Sequence, residues 1–222
     1  MLQPKIYSPP AHEKLDILFQ DNYLIALNKP SGLLSVPGRG DDKKDCMLSR
    51  LQLQHPESLV VHRLDMPTSG LILFALNKEL QKQMGMLFEK KKIYKQYIAN
   101  VHGILKEKKG IINQPLITDW INRPRQKIDY KKGKPSQTKF TLISNDNKNY
   151  SSIVKLEPIT GRSHQLRVHM SSLGHAILGD DIYGTVQTRN ASPRLLLHAE
   201  KISFMHPITQ KPININCDVD FL

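Results

Sequence analysis

Val60-Val61-His62-Arg63-Leu64-Asp65-Met66-Pro67-Thr68-Ser69-Gly70 runs directly into Leu71-Ile72-Leu73-Phe74-Ala75-Leu76. The second part is an uninterrupted apolar run of strand length, which reads as a buried strand. The first part ends in a Pro-Thr-Ser-Gly turn that bends the chain into that strand. Asp65 thereby stands at the lip of a core strand. It is either a carboxylate that caps its own turn or a reagent held toward a cleft.

Upstream, Leu15 to Phe19 and Tyr23 to Leu27 are apolar runs separated by Gln20-Asp21-Asn22, a hairpin pattern. Asn28 to Gly38 is a loop set by prolines and glycines, Arg39 to Asp45 a charged segment predicted to be mobile, and Met47 to Gln54 a short helix. Downstream, Lys78 to Lys92 places Leu80, Met84, Leu87 and Phe88 on one helical face. Lys90-Lys91-Lys92 then falls where cations complement the helix dipole, with direct RNA contact as the other reading. Lys95 to Gly103 alternates, with Tyr97, Ala99 and Val101 on one side of a half-buried strand. Lys139 to Ser144 and Ser151 to Leu156 form another antiparallel pair. Thr160 to Ser172 follows as a helix with Leu166, Met170 and Leu173 on its apolar face and Gly174 as its stop. Leu195 to His198 and Ile202 to Met205 supply closing strands. Many strands, few helices and no repeat predict an α+β fold with a largely antiparallel or mixed sheet flanked by helices and loops. It is expected as a single domain over residues 15–222 behind a polar, proline-containing N-terminal arm at 1–14.

A chain of 222 residues suffices for one sizeable core, and 39% hydrophobic with 23% charged residues excludes general disorder. No apolar run reaches bilayer-spanning length, and Met1 to Pro10 lacks the apolar segment of a signal peptide, so a cytoplasmic protein away from membranes is expected. Cys46 and Cys217 have no paired spacing and read as free thiols. His164 and His169 are five apart and His198 and His206 eight apart, unlike a helical zinc pair, so no metal is expected. The net charge of +12 makes nucleic acid the first candidate partner. Asn113 to Gln137 adds to that case, with prolines at 115, 124 and 135, and Trp120 and Tyr130 interleaved with Arg123, Arg125, Lys127, Lys131, Lys132 and Lys134. This long loop reads as a nucleic-acid contact or as a solvated insertion.

His62-Arg63-Leu64-Asp65, Lys95-Gln96-Tyr97-Ile98-Ala99 and Gly161-Arg162-Ser163-His164-Gln165-Leu166-Arg167-Val168-His169 together resemble the signature of the RluA family of pseudouridine synthases. The resemblance runs from Asn28-Lys29-Pro30-Ser31-Gly32 through Gly174-His175-Ala176-Ile177-Leu178-Gly179-Asp180 to Arg194-Leu195-Leu196-Leu197-His198-Ala199. Asp119 to Pro124 and Gly133-Lys134-Pro135 resemble a member that acts on both ribosomal and transfer RNA. The resemblance implies a pseudouridine synthase domain without the S4-like domain of larger relatives, since its first motif begins by Asn28. It makes Asp65 the catalytic aspartate, Tyr97 the tyrosine against the target base, and Arg167 the arginine paired with the aspartate. Arg63 enters the space left by the displaced nucleotide, and Arg123, Arg125 and Lys134 are RNA-binding candidates. The implied substrates are structured RNA stem-loops, a 23S ribosomal RNA hairpin loop and the 5′ edge of the transfer RNA anticodon loop. A monomer is expected, with no cofactor, because exchanging the N1–C1′ bond of uridine for a C5–C1′ bond is an isomerisation. Asp65 attacks C1′ or removes the C2′ proton, and the residues leave both routes open. A metal-dependent nuclease would need carboxylates clustered near Asp65, which are missing from the sequence around it. A non-catalytic RNA-binding module would explain the charge but not the motifs around one aspartate.

Overall fold

The computed structural model describes residues 7–11 and 14–222; of the expected arm, residues 1–6, 12 and 13 lie outside the described residues. Residues 7–11 lie against the body, with Tyr7 Oη donating to the Asp45 carbonyl and Arg50 donating to the carbonyls of Pro10 and Ala11. The first hairpin is formed by β1 (Ile17–Gln20) and β2 (Leu24–Lys29), and Asp21 in its turn accepts the N–H groups of Tyr23 and Leu24. A short 3-10 turn, Asp41–Lys43, occupies the charged segment. Helix α1 (Met47–Gln52) starts on the buried free thiol Cys46, whose Sγ accepts the Ser49 N–H. Strand β3 (Leu59–Val60) leads to β4 (Ser69–Ala75), buried at every position as its composition requires. Asn77 caps α2 (Lys78–Glu89), and Lys90 and Lys91 follow the last turn, Lys91 with a φ of 55°.

The remaining strands are β5 (Tyr94–His102), β6 (Lys109–Asn113), β7 (Leu116–Thr118), β8 (Gln126–Ile128), β9 (Gln137–Asp146), β10 (Ser151–Pro158), β11 (Leu197–Met205) and β12 (Pro212–Asn216). Helices α3 (Gln165–Ser172) and α4 (Val186–Asn190) complete the chain. Ten strands make one mixed sheet in the order β1-β2-β4-β11-β5-β10-β9-β6, with β3 added to β4 and β12 to β11. Every pairing in it is antiparallel except a short parallel ladder of Ser69 and Gly70 against His198 and Ala199. That ladder joins two antiparallel halves; one hydrophobic cluster gathers β2, β4, α1 and α2 with residues of β11 and β12 across the ladder, and the other lies around β5, β10 and α3. Tyr97 packs against both clusters.

Three sequence expectations change in detail. Strand β5 buries Ile98 as well as Ala99 and Val101, because it lies between β11 and β10 and is covered on both faces. The segment from Asn113 to Gln137 is not a structureless loop: β7 and β8 pair, Leu116 and Lys134 exchange backbone hydrogen bonds, and Asp129 accepts the N–H groups of Lys131 and Lys132. Gly133 is required there, since a Cβ would stand 2.3 Å from the Asp129 carbonyl. Helix α3 begins at Gln165 rather than Thr160, because Gln165 Oε1 takes hydrogen bonds from Thr160 Oγ1 and Arg162 N and holds the preceding residues in a turn. Its buried residues include Arg167 and His169, whereas Leu173 is exposed.

One row of paired residues crosses both halves of the sheet: Lys29 with Gly70, Gly70 with Ala199, Ala199 with Tyr97, Tyr97 with Leu156. Laterally paired residues share a face, so this row sends Lys29 and Tyr97 to the same side. Gly70 makes the row possible, for its φ is 102° and a Cβ would meet the Ala199 carbonyl at 2.4 Å. Gly70→Ala is expected to cost about 2–4 kcal/mol, combining left-handed strain with overpacking, as read from urea midpoints.

Candidate active site

Asp65 lies in the turn before β4, and that turn is held by the loop after β2. Lys29, fully buried at the end of β2, donates from Nζ to the carbonyls of Pro30 (2.9 Å), Leu33 (2.8 Å) and Met66 (3.1 Å). These bonds use all the protons of an ammonium group. Burial pulls the Lys29 pKa down to about 7, opposed by the charge of Asp65. Around it, Ser31 Oγ donates to the Pro67 carbonyl at 2.7 Å, Gly32 N to the Met66 carbonyl, and Ser35 Oγ bonds both the N–H and the carbonyl of Leu64. The Asp65 carbonyl accepts from Thr68 N, closing the turn. The Asp65 carboxylate is left out of this main-chain scaffold and is 27% exposed.

Helix α3 supplies the opposing charge. Arg167, 1% exposed, donates from Nε and Nη2 to both oxygens of Asp180 at 2.8 and 2.7 Å, and from Nη2 to Asp181 at 3.2 Å. Its Nη1 faces Asp65 Oδ2 at 3.6 Å. The arginine expected beside Asp65 is there, but its bidentate edge belongs to Asp180. Burial raises the Asp180 pKa and the hydrogen bonds and charge of Arg167, with the N–H groups of Tyr183 and Ile182, outweigh it, so Asp180 is held below the usual carboxylate range. His164, in the left-handed region at φ 54°, presents Nε2 to Asp65 Oδ2 at 3.9 Å and Nδ1 to Tyr183 Oη at 2.8 Å. Burial lowers the His164 pKa, as does Arg167, against the carboxylates nearby.

These groups surround a cleft of about 550 Å³, lined among others by Asp65, Arg63, Lys95, Tyr97, His164 and Arg167. Tyr97 is half-buried at its wall; burial and the charge of Asp65 raise its pKa, so the phenol stays neutral. His62 completes the floor by accepting the Leu73 N–H at Nε2, continuing with a side chain the ladder that β3 makes with β4. Arg63 is exposed at the rim. The sites expected in the hairpin lie farther out: Arg123, Arg125 and Lys134 are exposed, with the Arg123 guanidinium 4.5 Å from the ring of Trp120. Tyr183 links that hairpin to the cleft, since its Oη accepts the Gln126 N–H at 2.7 Å and its ring has the Arg125 and Arg167 guanidinium groups 5.3 Å away.

Sequence reasoning had not singled out Lys29, His164, Asp180 or Tyr183. The available signals were a lysine closing an apolar strand just before a proline, and an acidic pair beside an aromatic in Asp180-Asp181-Ile182-Tyr183. Removing the charge of Asp180 leaves a buried guanidinium with too few partners. Asp180→Asn is expected to cost about 3–5 kcal/mol at pH 7. Because the folded pKa of Asp180 is depressed, its contribution is complete above the unfolded value of about 3.9 and fades as pH falls through the folded value. In urea melts the gap between the two proteins should therefore begin to narrow only below about pH 3.9 and close below the folded value.

The family described as RNA pseudouridylate synthase matches residues 23–172. The chain is 46% identical over 215 residues to the dual-specificity RNA pseudouridine synthase RluA of Escherichia coli strain K12, covering 97% of this chain and 98% of that one. It is 47% identical over 217 residues to the protein of the same description from Vibrio parahaemolyticus serotype O3:K6, covering 96% and 87%. Among solved structures, human RNA pseudouridylate synthase domain containing 1 superimposes with a TM-score of 0.81 at 28% identity, over 97% of this chain and 87% of that one. With this match across the sheet, the cleft and helix α3, the chain belongs to the RNA pseudouridylate synthase family and isomerises uridine to pseudouridine in RNA.

Proposed function

We propose that this synthase modifies two structured RNAs, a hairpin loop of 23S ribosomal RNA and the 5′ edge of the transfer RNA anticodon loop, acting as a cytoplasmic monomer with Asp65 as the reacting carboxylate. The observation that carries the reading is the setting of Asp65, a part-exposed carboxylate in the cleft with Arg167 at 3.6 Å and Tyr97 on the adjoining wall. Support for two RNA substrates comes from relatives described as dual-specificity enzymes at 46 and 47% identity.

In the reaction the N1–C1′ bond breaks, the uracil turns, and C5 bonds to C1′; the C5 proton leaves and N1 gains one, so atoms balance without a cofactor. Asp65 serves either by attacking C1′ or by taking the proton from C2′. Both routes need a charged carboxylate that is not gripped on both oxygens. Arg167 meets that need by giving its two-pronged edge to Asp180 and approaching Asp65 through one nitrogen. Tyr97, neutral, offers a ring against the flipped base. Arg63 at the rim fills the space the base leaves, and Arg123, Arg125 and Lys134 grip phosphates beside the exposed rings of Trp120 and Tyr130. A small hairpin loop suits this apparatus, because flipping costs least where the base is already unpaired.

Asp65→Asn should abolish tritium release from C5-labelled uridine RNA while leaving RNA affinity within a few-fold; turnover in a pure preparation would remove Asp65 from its role. Changing Arg123, Arg125 and Lys134 together to Ala should weaken binding and lower the log–log salt slope by about one per lost phosphate contact. Single-turnover chemistry at saturating enzyme should change less, and an unaltered slope would place the RNA on another face. Isolated anticodon and ribosomal stem-loops should react almost as well as the full RNAs, whereas activity on one class alone would end the dual assignment.

A further inference from the structure

Lys95 is a cation in the cleft that the reaction as described does not use. It stands two residues before Tyr97 on β5, and residues two apart on a strand share a face. Both line the cleft. The Lys95 ammonium lies 5.9 Å from the centre of the Phe88 ring, beside Gly161, where a Cβ would come within 3.9 Å of Nζ. Among the described residues no carboxylate pairs with it, and burial without a compensating charge pulls its pKa down. The surroundings cannot supply that charge. Asp65 is engaged by Arg167 and His164. His62, lowered to about 3 by burial and by Lys95 itself, is neutral, and Arg63 and Arg162 on the same cleft are cationic. A half-desolvated ammonium facing neutral and positive groups is unfavourable until a ligand brings an anion to it.

We propose that Lys95 holds a phosphodiester of the flipped nucleotide, so that base, sugar and phosphate are gripped by one strand. The inference rests on the assignment of Tyr97 to the target base. Along a strand two residues span about 6.8 Å, comparable to the reach from a nucleobase to its own phosphate. With the base against Tyr97, the phosphate falls at Lys95 and the sugar between them turns C1′ toward Asp65. A uracil carbonyl would accept a hydrogen bond from the same ammonium but would leave its charge uncompensated, which favours the phosphate.

The test is a cycle between protein and substrate, run on a stem-loop that the wild-type enzyme converts. Phosphates 5′ and 3′ of the target uridine are replaced one at a time by uncharged methylphosphonates. At one position the replacement should cost the wild-type enzyme about ten-fold or more in affinity, the usual weight of a charge-assisted contact. Lys95→Gln should lose a similar factor on the all-phosphate RNA, show a salt slope lower by about one, and be nearly indifferent to that methylphosphonate. Lys95→Arg should keep most of the affinity and the sensitivity, and urea melts of both variants check that the fold is intact. If both methylphosphonate losses persist undiminished in Lys95→Gln, or Lys95→Gln binds as tightly as wild type, the proposal is overturned. Failure of the wild-type enzyme to convert either stem-loop would instead count against the target assignment.

Discussion

The guanidinium of Arg167 is the group on which the site depends. It is almost completely buried, as is Asp180, and a buried ion pair of this kind stabilises a fold little more than apolar residues of the same volume would. What it does supply is direction. With Nε and Nη2 committed to Asp180, the plane of the guanidinium is fixed and Nη1 can point only at Asp65. Asp180 is itself fixed by the N–H groups of Ile182 and Tyr183. The positive charge beside Asp65 is thus held by the loop after α3 and not by Asp65 itself.

On the other side the same economy applies to Asp65. Its turn is held through main-chain atoms by Lys29, Ser31 and Ser35, so the carboxylate is not needed to hold the turn. Lys29 and Tyr97 belong to the same lateral row, with Gly70 and Ala199 between them. Sheet register therefore sets the distance between the residue that anchors the Asp65 turn and the aromatic ring on the cleft wall.

Much of this was legible in the sequence. The run from Leu71 to Ala75 allowed only a buried strand, and the position of Asp65 at its lip followed from the Pro-Thr-Ser-Gly turn. The three motifs carried the family, and the family fit followed. Legibility failed where a residue's role depends on pairings distant in sequence. Lys29 looks like an ordinary surface lysine until β2 is paired with β4, and Asp180 gains its role only from a helix that begins elsewhere in the chain. The segment around Trp120 read as a loop because its prolines and lysines mask two three-residue strands, which hold through Gly133 and the Leu116 and Lys134 bridge rather than through any apolar alternation.

The parallel ladder between β4 and β11 has a mechanical consequence. It is short, only Ser69 and Gly70 against His198 and Ala199, while the antiparallel ladders on either side are longer. One hydrophobic cluster nevertheless spans it, since Ala199, Ile202, Phe204 and Ile215 of β11 and β12 pack with residues of β2 and β4. The two halves are thus joined more by side chains than by main-chain bonds, and Tyr97 packs against both clusters. Turning one half against the other would pull these side chains apart, so the shared cluster resists a widening of the cleft that the short ladder alone would allow.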